Sequence, residues 1–111
     1  ALAALGDFRG LKMLADIVES KQNDAVRCRA IVAIQQFGSV RQQDVLLKAL
    51  ADPHPNIRVA TTRALKAVGD SQSLPALRIA ARDETTPLWH GPTTVRTEAL
   101  AAIKAIEQRS P

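Results

Sequence analysis

The chain has 111 residues, 46% of them hydrophobic, and a formal net charge of +4, which allows one domain, 1–111, with a modest core and only a mild basic bias. Its single cysteine, Cys28, excludes an internal disulfide and any cysteine pair that could clamp a metal, and a cytoplasmic setting fits best. No run approaches the roughly 18 apolar residues of a membrane span, and Ala1–Leu5 is too short for a signal-peptide core.

Ala1–Leu5 reads as the last turn or two of a helix closed at Gly6. With no initiating Met and a start in mid-pattern, this partial helix implies a fragment of a longer array whose first hairpin has lost its first half. Leu11, Leu14, Ile17 and Val18 then mark one apolar face of a helix near 8–20. Counting from Val26, the offsets 4, 7, 8 and 11 fall on Ala30, Ala33, Ile34 and Phe37, the inward stripe of a helix near 25–37. Leu46, Leu47 and Leu50 predict a helix near 40–51. The same offsets from Ile57 give Thr61, Ala64, Leu65 and Val68 in a helix near 55–68, with Thr61 alone out of character. Leu74, Leu77 and Ala80 follow near 72–82. From Val95, Ala99, Ala102, Ile103 and Ile106 predict the last helix, near 94–108. The β-branched residues lie on helical stripes and not in alternation, so no strand is expected.

Three of these segments superimpose without gaps: AVRCRAIVAIQQFG from Ala25, NIRVATTRALKAVG from Asn56 and TVRTEALAAIKAIE from Thr94. Gly6, Gly38 and Gly69 close equivalent helices at intervals of 32 and 31 residues, where a positive φ would end the helix and turn the chain. The polar run Glu107–Ser110 would suit a natural stop. Helices of about a dozen residues joined by short connections form hairpins over 7–37, 40–68 and 72–108. Stacked sideways, they would make an elongated pile in which each unit covers its neighbour.

Leu46-Leu47-Lys48-Ala49-Leu50-Ala51-Asp52 followed by Ile57-Arg58, and Leu74-Pro75-Ala76-Leu77 followed by Asp83 and Val95-Arg96, resemble the HEAT repeat family. A Pro in the first helix, an Asp at its end and a hydrophobic-Arg pair opening the second are that family's recurring marks. The short repeat and the pairs Gly6-Asp7 and Gly69-Asp70 look most like the HEAT-like repeats of phycobilin lyase subunits and their non-lyase relatives. Departures are Ser20 for Asp, Gly38-Ser39 for Gly-Asp, and an insertion in the last hairpin. The resemblance implies an all-α chain, an α-α superhelix of the HEAT/armadillo-like solenoid kind, with about three hairpins whose second helices line a concave surface. Tetratricopeptide and ankyrin arrays have similar periods, but the chain has no Tyr, one Trp and no Thr-Pro-Leu-His.

Arg27, Arg58 and Arg96 share one offset, and Asp52 and Asp83 end the helices before two of them. These residues suggest a ladder of Asp-Arg pairs that fixes the turns and joins repeats, or else an anion site. The outward offsets of the second helices carry Arg29, Val32 and Gln35, then Ala60, Arg63 and Lys66, then Glu98, Ala101 and Lys104. Four bases against one acid would suit an acidic protein groove, while a solvated face is the plainer reading. Nucleic acid is the less favoured partner, since the stripe has no stacking aromatics. The insertion over 83–93 displays Leu88, Trp89 and His90, either as an interface anchor or as a lid over the end of the stack. His54 is expected in a structural turn before Pro55. Two isolated His and one Cys have no ligand spacing, so neither metal nor cofactor is expected. No catalytic set can be assembled, and Cys28 is expected on the exposed side of its helix as a spectator thiol.

These residues predict a non-catalytic protein-binding or scaffold module engaging a partner through the concave face and the 83–93 loop. The resemblance also permits two others: an accessory subunit of an enzyme such as a bilin lyase-like protein, and a nucleic-acid module like the HEAT-like DNA alkylation repair glycosylases.

Overall fold

In a computed structural model, residues 8–87 and 91–109 are described, and within them the chain forms six α-helices and no strand. These are α1 (Phe8–Glu19), α2 (Asp24–Phe37), α3 (Gln43–Ala49), α4 (Pro55–Val68), α5 (Leu74–Ala80) and α6 (Val95–Arg109). They pair as three hairpins, α1/α2, α3/α4 and α5/α6. The partial helix expected over 1–5 lies outside the described residues.

The helix starts follow from local side chains. Asn23 accepts from the Val26 amide at 3.0 Å to cap α2, and His54 Nδ1 accepts from the Asn56 amide at 3.2 Å to cap α4. Pro55 occupies the first turn of α4, where its missing N–H has no helical partner. The first helices of the second and third hairpins differ from the single segments expected. Each enters through a 3-10 turn, Val40–Gln42 and Ser71–Ser73, capped by Ser39 and Asp70. In the first of these, Ser39 and Gln42 satisfy each other's backbone amides as a capping box.

Gly38 and Gly69 end α2 and α4, but not by positive φ: their φ angles are −84° and −77°. The demand is for space. Each amide donates to the carbonyl four residues back, Ile34 at 2.7 Å and Leu65 at 2.8 Å. A Cβ would sit 2.5 Å from the Ile34 oxygen and 2.7 Å from that of Leu65, closer than side chains tolerate. The positive φ among the described residues is at Gly91, φ 80°, inside the insertion.

The second helices pack directly on one another, α2 on α4 and α4 on α6, and each first helix backs onto its own partner. The first helices stand farther apart, leaving an apolar notch of about 300 Å³ between α3 and α5 lined by Leu47, Leu50, Ala76 and Ile79. With only three hairpins the result is a slab of 36 × 34 × 20 Å rather than an elongated pile. Its radius of gyration of 13.0 Å is that of a compact chain of this length.

The core is the seam between these layers. Ile34, Leu46, Leu65, Leu77 and Ile106 are fully buried. Two expectations, those for Ala60 and Cys28, change because α4 has neighbours on both sides. Ala60, expected outward, is buried. Thr61 is buried as its place on the inward stripe requires, and its hydroxyl is satisfied by donating to the Ile57 carbonyl at 2.7 Å. Cys28, expected exposed, lies under α4 with its thiol 3.7 Å from the Asn56 carbonyl oxygen. Phe37, expected inward, is 39% exposed at the last position of α2. No helix among the described residues is long and apolar enough to cross a membrane.

Candidate functional site

The repeated arginines and aspartates meet in a fixed pattern that runs between hairpins. Arg27 donates Nε to the Val18 carbonyl of its own hairpin at 3.0 Å and Nη2 to Asp52 of the next. Arg58 donates Nη1 to the Asp52 carbonyl of its own hairpin at 2.8 Å and Nε to Asp83 of the next at 2.7 Å. The other oxygen of each carboxylate accepts an amide two residues on, His54 at 2.9 Å and Thr85 at 3.0 Å. Each arginine therefore ties one hairpin's turn to the following one, and each aspartate shapes its own turn at the same time. Burial pushes the Asp83 carboxyl up, but the Thr85 hydroxyl and amide with the Arg58 guanidinium outweigh it and hold it below its ordinary value. Asp24 adds to the first rung, 3.5 Å from Arg27 and 3.0 Å from His54 Nε2.

Arg96, at the third equivalent position, has no such partner among the described residues. Its amide donates to the Asp83 carbonyl at 2.7 Å while its side chain is exposed.

Two junctions were not visible as motifs. Gln43 is buried, and its Oε1 accepts from the Asp70 amide at 2.9 Å and from the Ser73 hydroxyl, so it joins the second hairpin to the third beside the Gly69 turn. Its signal was a polar residue three before Leu46, on an apolar stripe. Arg109 donates to the Lys66 carbonyl at 2.6 Å and the Gly69 carbonyl at 3.0 Å, capping the end of α4.

On the outward stripe of the second helices, Arg29, Lys66 and Lys104 are exposed. Arg63 is not free: its Nε lies 2.9 Å from Glu98 Oε1 across α4 and α6, and Thr93 donates to the other oxygen at 2.8 Å. The Arg63 hydrogen bond, against partial burial and with help from Thr93, holds the Glu98 carboxyl below its ordinary value. The one acid of the stripe is thus consumed by one base, and the cations left on the surface are Arg29, Lys66 and Lys104. Gln35 and Ala101 lie half-buried between them, with Val32 exposed.

The 83–93 insertion is pinned at both ends. The Val95 amide donates to the Thr85 carbonyl at 3.1 Å, Thr93 binds Glu98, and Pro87 is buried. The candidates at its tip, Leu88, Trp89 and His90, lie outside the described residues.

The remaining chemistry is quiet. Burial, reinforced by the Asp24 and Asp52 charges and opposed by Arg27, pushes the Cys28 thiol up to about 11, so the thiolate is scarce at neutral pH. Among the described residues no three His, Cys, Asp or Glu side chains stand where they could hold a metal ion.

No curated protein and no solved structure matches the chain. The family model described as HEAT repeats matches residues 11–104, which takes in all three hairpins with their Arg27, Arg58 and Arg96 positions. The chain belongs to the HEAT repeat family.

Proposed function

We propose that this chain is a non-catalytic protein-binding or scaffold module that holds an acidic segment of a partner protein along the outer face of α2, α4 and α6, with the 83–93 loop at its edge. The observation that carries the reading is the pairing of Glu98 with Arg63, which leaves Arg29, Lys66 and Lys104 as exposed cations on one face. HEAT repeats generally mediate protein interaction, and the resemblance to that family implies that the second helices line the concave side. Exposed charges of one sign speed and orient encounter with a complementary surface more than they add affinity, so salt-sensitive capture is expected. Trp89 supplies the aromatic residue such interfaces use as an anchor.

The experiment is crosslinked affinity capture with the native chain, a Lys66→Glu/Lys104→Glu double variant, Trp89→Ala, and an Arg41→Glu control on the opposite layer. Partners that are held by the native chain and the control but released from the double variant, and more weakly held by Trp89→Ala, are the expected result. An identical set in all four would remove the reading.

A further inference from the structure

The two clefts between neighbouring first helices are built from equivalent positions, so each shows what the other has changed. An interval of 32 residues carries Val18 and Glu19 onto Leu50 and Ala51, and one of 31 carries Val45, Lys48 and Ala49 onto Ala76, Ile79 and Ala80. Both sets line a cleft, of about 270 Å³ at the first junction and about 300 Å³ at the second. The first is closed at its rim by charge. There α1 lies against α3, and Lys48 reaches Glu19 at 3.8 Å with both side chains more than half exposed. At the second junction α3 and α5 scarcely touch, and Ile79 and Ala51 occupy the two positions of that ion pair. Ile79 is 66% exposed, where the preceding hairpin has a solvated lysine. An open apolar cleft with charge only at its edge is the character of a contact surface, and this one lies between the second and third hairpins, away from both ends of the chain.

We infer that the α3/α5 cleft is a docking groove for a short amphipathic helix of a partner protein, with leucine or aromatic anchors one turn apart and acidic residues on one flank. Size selects a single helix. α3 and α5 have seven residues each, about 10 Å at 1.5 Å per residue, so the groove spans two turns and takes one or two anchors. Its apolar lining falls far short of the roughly 800 Å² that each partner contributes to a stable dimer. Charge selects the flank. Arg78 and Arg82, one before and three after Ile79, are both exposed, and Arg78 is only loosely engaged, 3.8 Å from Glu107. The carboxylate inside the groove is already taken, since Asp83 accepts from Arg58 and from the Thr85 amide. Asp44 stands in the first turn of α3, at its other end. An occupant therefore meets apolar walls with cations at the C-terminal end of α5, and acids placed there complement them. The groove belongs to the first-helix layer and not to the cationic face of Lys66 and Lys104, so either reading can fail without the other.

The probe is a synthetic peptide of about 15 residues, the length at which an isolated helix begins to hold, with Leu at i and i+4 and Glu on one flank. Two counterparts carry Lys for Glu or Ser for Leu. Binding to the full chain is followed by fluorescence anisotropy and by the methyl NMR shifts of Leu47, Leu50 and Ile79. The acidic leucine peptide is expected to bind at least tenfold tighter than either counterpart and to move those methyls. Ile79→Lys/Ala51→Glu copies the ion pair of the first junction into two exposed positions. It should keep the native circular dichroism and lose at least tenfold in affinity, while Arg82→Glu should erase the preference for Glu over Lys. Lys66→Glu/Lys104→Glu should bind as the native chain does. The inference is overturned if no peptide moves these methyls, if the ion-pair variant binds as tightly as the native chain, or if binding is lost in Lys66→Glu/Lys104→Glu. Should the ion-pair variant not fold, Arg82→Glu decides, and an unchanged preference for Glu overturns it. Another occupant overturns it equally. A dimer on sedimentation that the ion-pair variant abolishes would place a second copy in the groove, and a red shift of Trp89 emission in that variant without peptide would place the chain's own loop there.

Discussion

Arg58 and Asp83 are 25 residues apart in sequence and 2.7 Å apart in space, and this contact fixes the offset between the second and third hairpins. The same guanidinium also holds the Asp52 carbonyl, so its loss frees two turns at once. Arg58→Ala should cost about 1.5–3 kcal/mol, the range for a hydrogen bond to a charged group left with a part-buried partner. Arg96→Ala, with its exposed side chain, should change stability by less than about 0.5 kcal/mol. Urea unfolding of the two variants side by side checks the contrast, and equal losses would show that the rungs carry no inter-hairpin role.

The pH dependence follows from Glu98 and Asp83, whose carboxyls lie below their ordinary values in the folded chain. A depressed folded value means the unfolded chain binds the proton more tightly. The stabilisation is therefore complete above the ordinary values of 4.5 for Glu98 and 3.8 for Asp83, and is lost as pH falls through the lower folded values. The urea midpoint should drop from pH 6 to pH 3, and Glu98→Gln should flatten part of that fall. A midpoint as steep in the variant as in the native chain would remove Glu98 from the account.

Cys28 should resist alkylation at pH 8 in the folded chain, because burial beneath α4 and two nearby carboxylates keep the thiol protonated. Its reaction should speed up in step with unfolding as urea is added. A thiol raised from 9.0 to about 11 also adds stability that is present below pH 9 and disappears as pH rises toward 11. Rapid labelling in buffer would place Cys28 on the surface.

Gly69→Ala should destabilise by about 1–3 kcal/mol, as overpacking does, because the new Cβ meets the Leu65 carbonyl oxygen at 2.7 Å and that oxygen is fixed in the helix. Gly91→Ala meets no atom within 4 Å and is strained by its φ of 80° alone, at about 1–2 kcal/mol or less where the loop relaxes. Thermal melts separate the two. A neutral Gly69→Ala would mean the turn adjusts freely.

All six helices and most of their inward faces could be read from the sequence, since Ile34, Leu65 and Ile103 recur at one offset and a 3.6-residue period leaves little choice of face. What escaped was what periodicity does not encode. The middle hairpin is covered from both sides, so Ala60 is buried although the helix pattern alone made it outward. The rule that glycine closes helices through positive φ misled at Gly38 and Gly69, where a carbonyl oxygen excludes a side chain. The basic count of the outward stripe hid a pairing across two helices, because Arg63 and Glu98 are 35 residues apart. Gln43 has no motif at all, only its polar place in an apolar row.

If the apolar stripes are satisfied by neighbouring hairpins, protection should follow position in the stack rather than helix length. Native-state hydrogen exchange measures this residue by residue. The amides of α4, flanked by α2 and α6 and burying Ile57, Val59, Ala60, Thr61, Thr62, Ala64 and Leu65, should exchange last, with α1 and the final turns of α6 opening first. An α4 that exchanges as fast as α1 would contradict stacking as the source of this chain's stability.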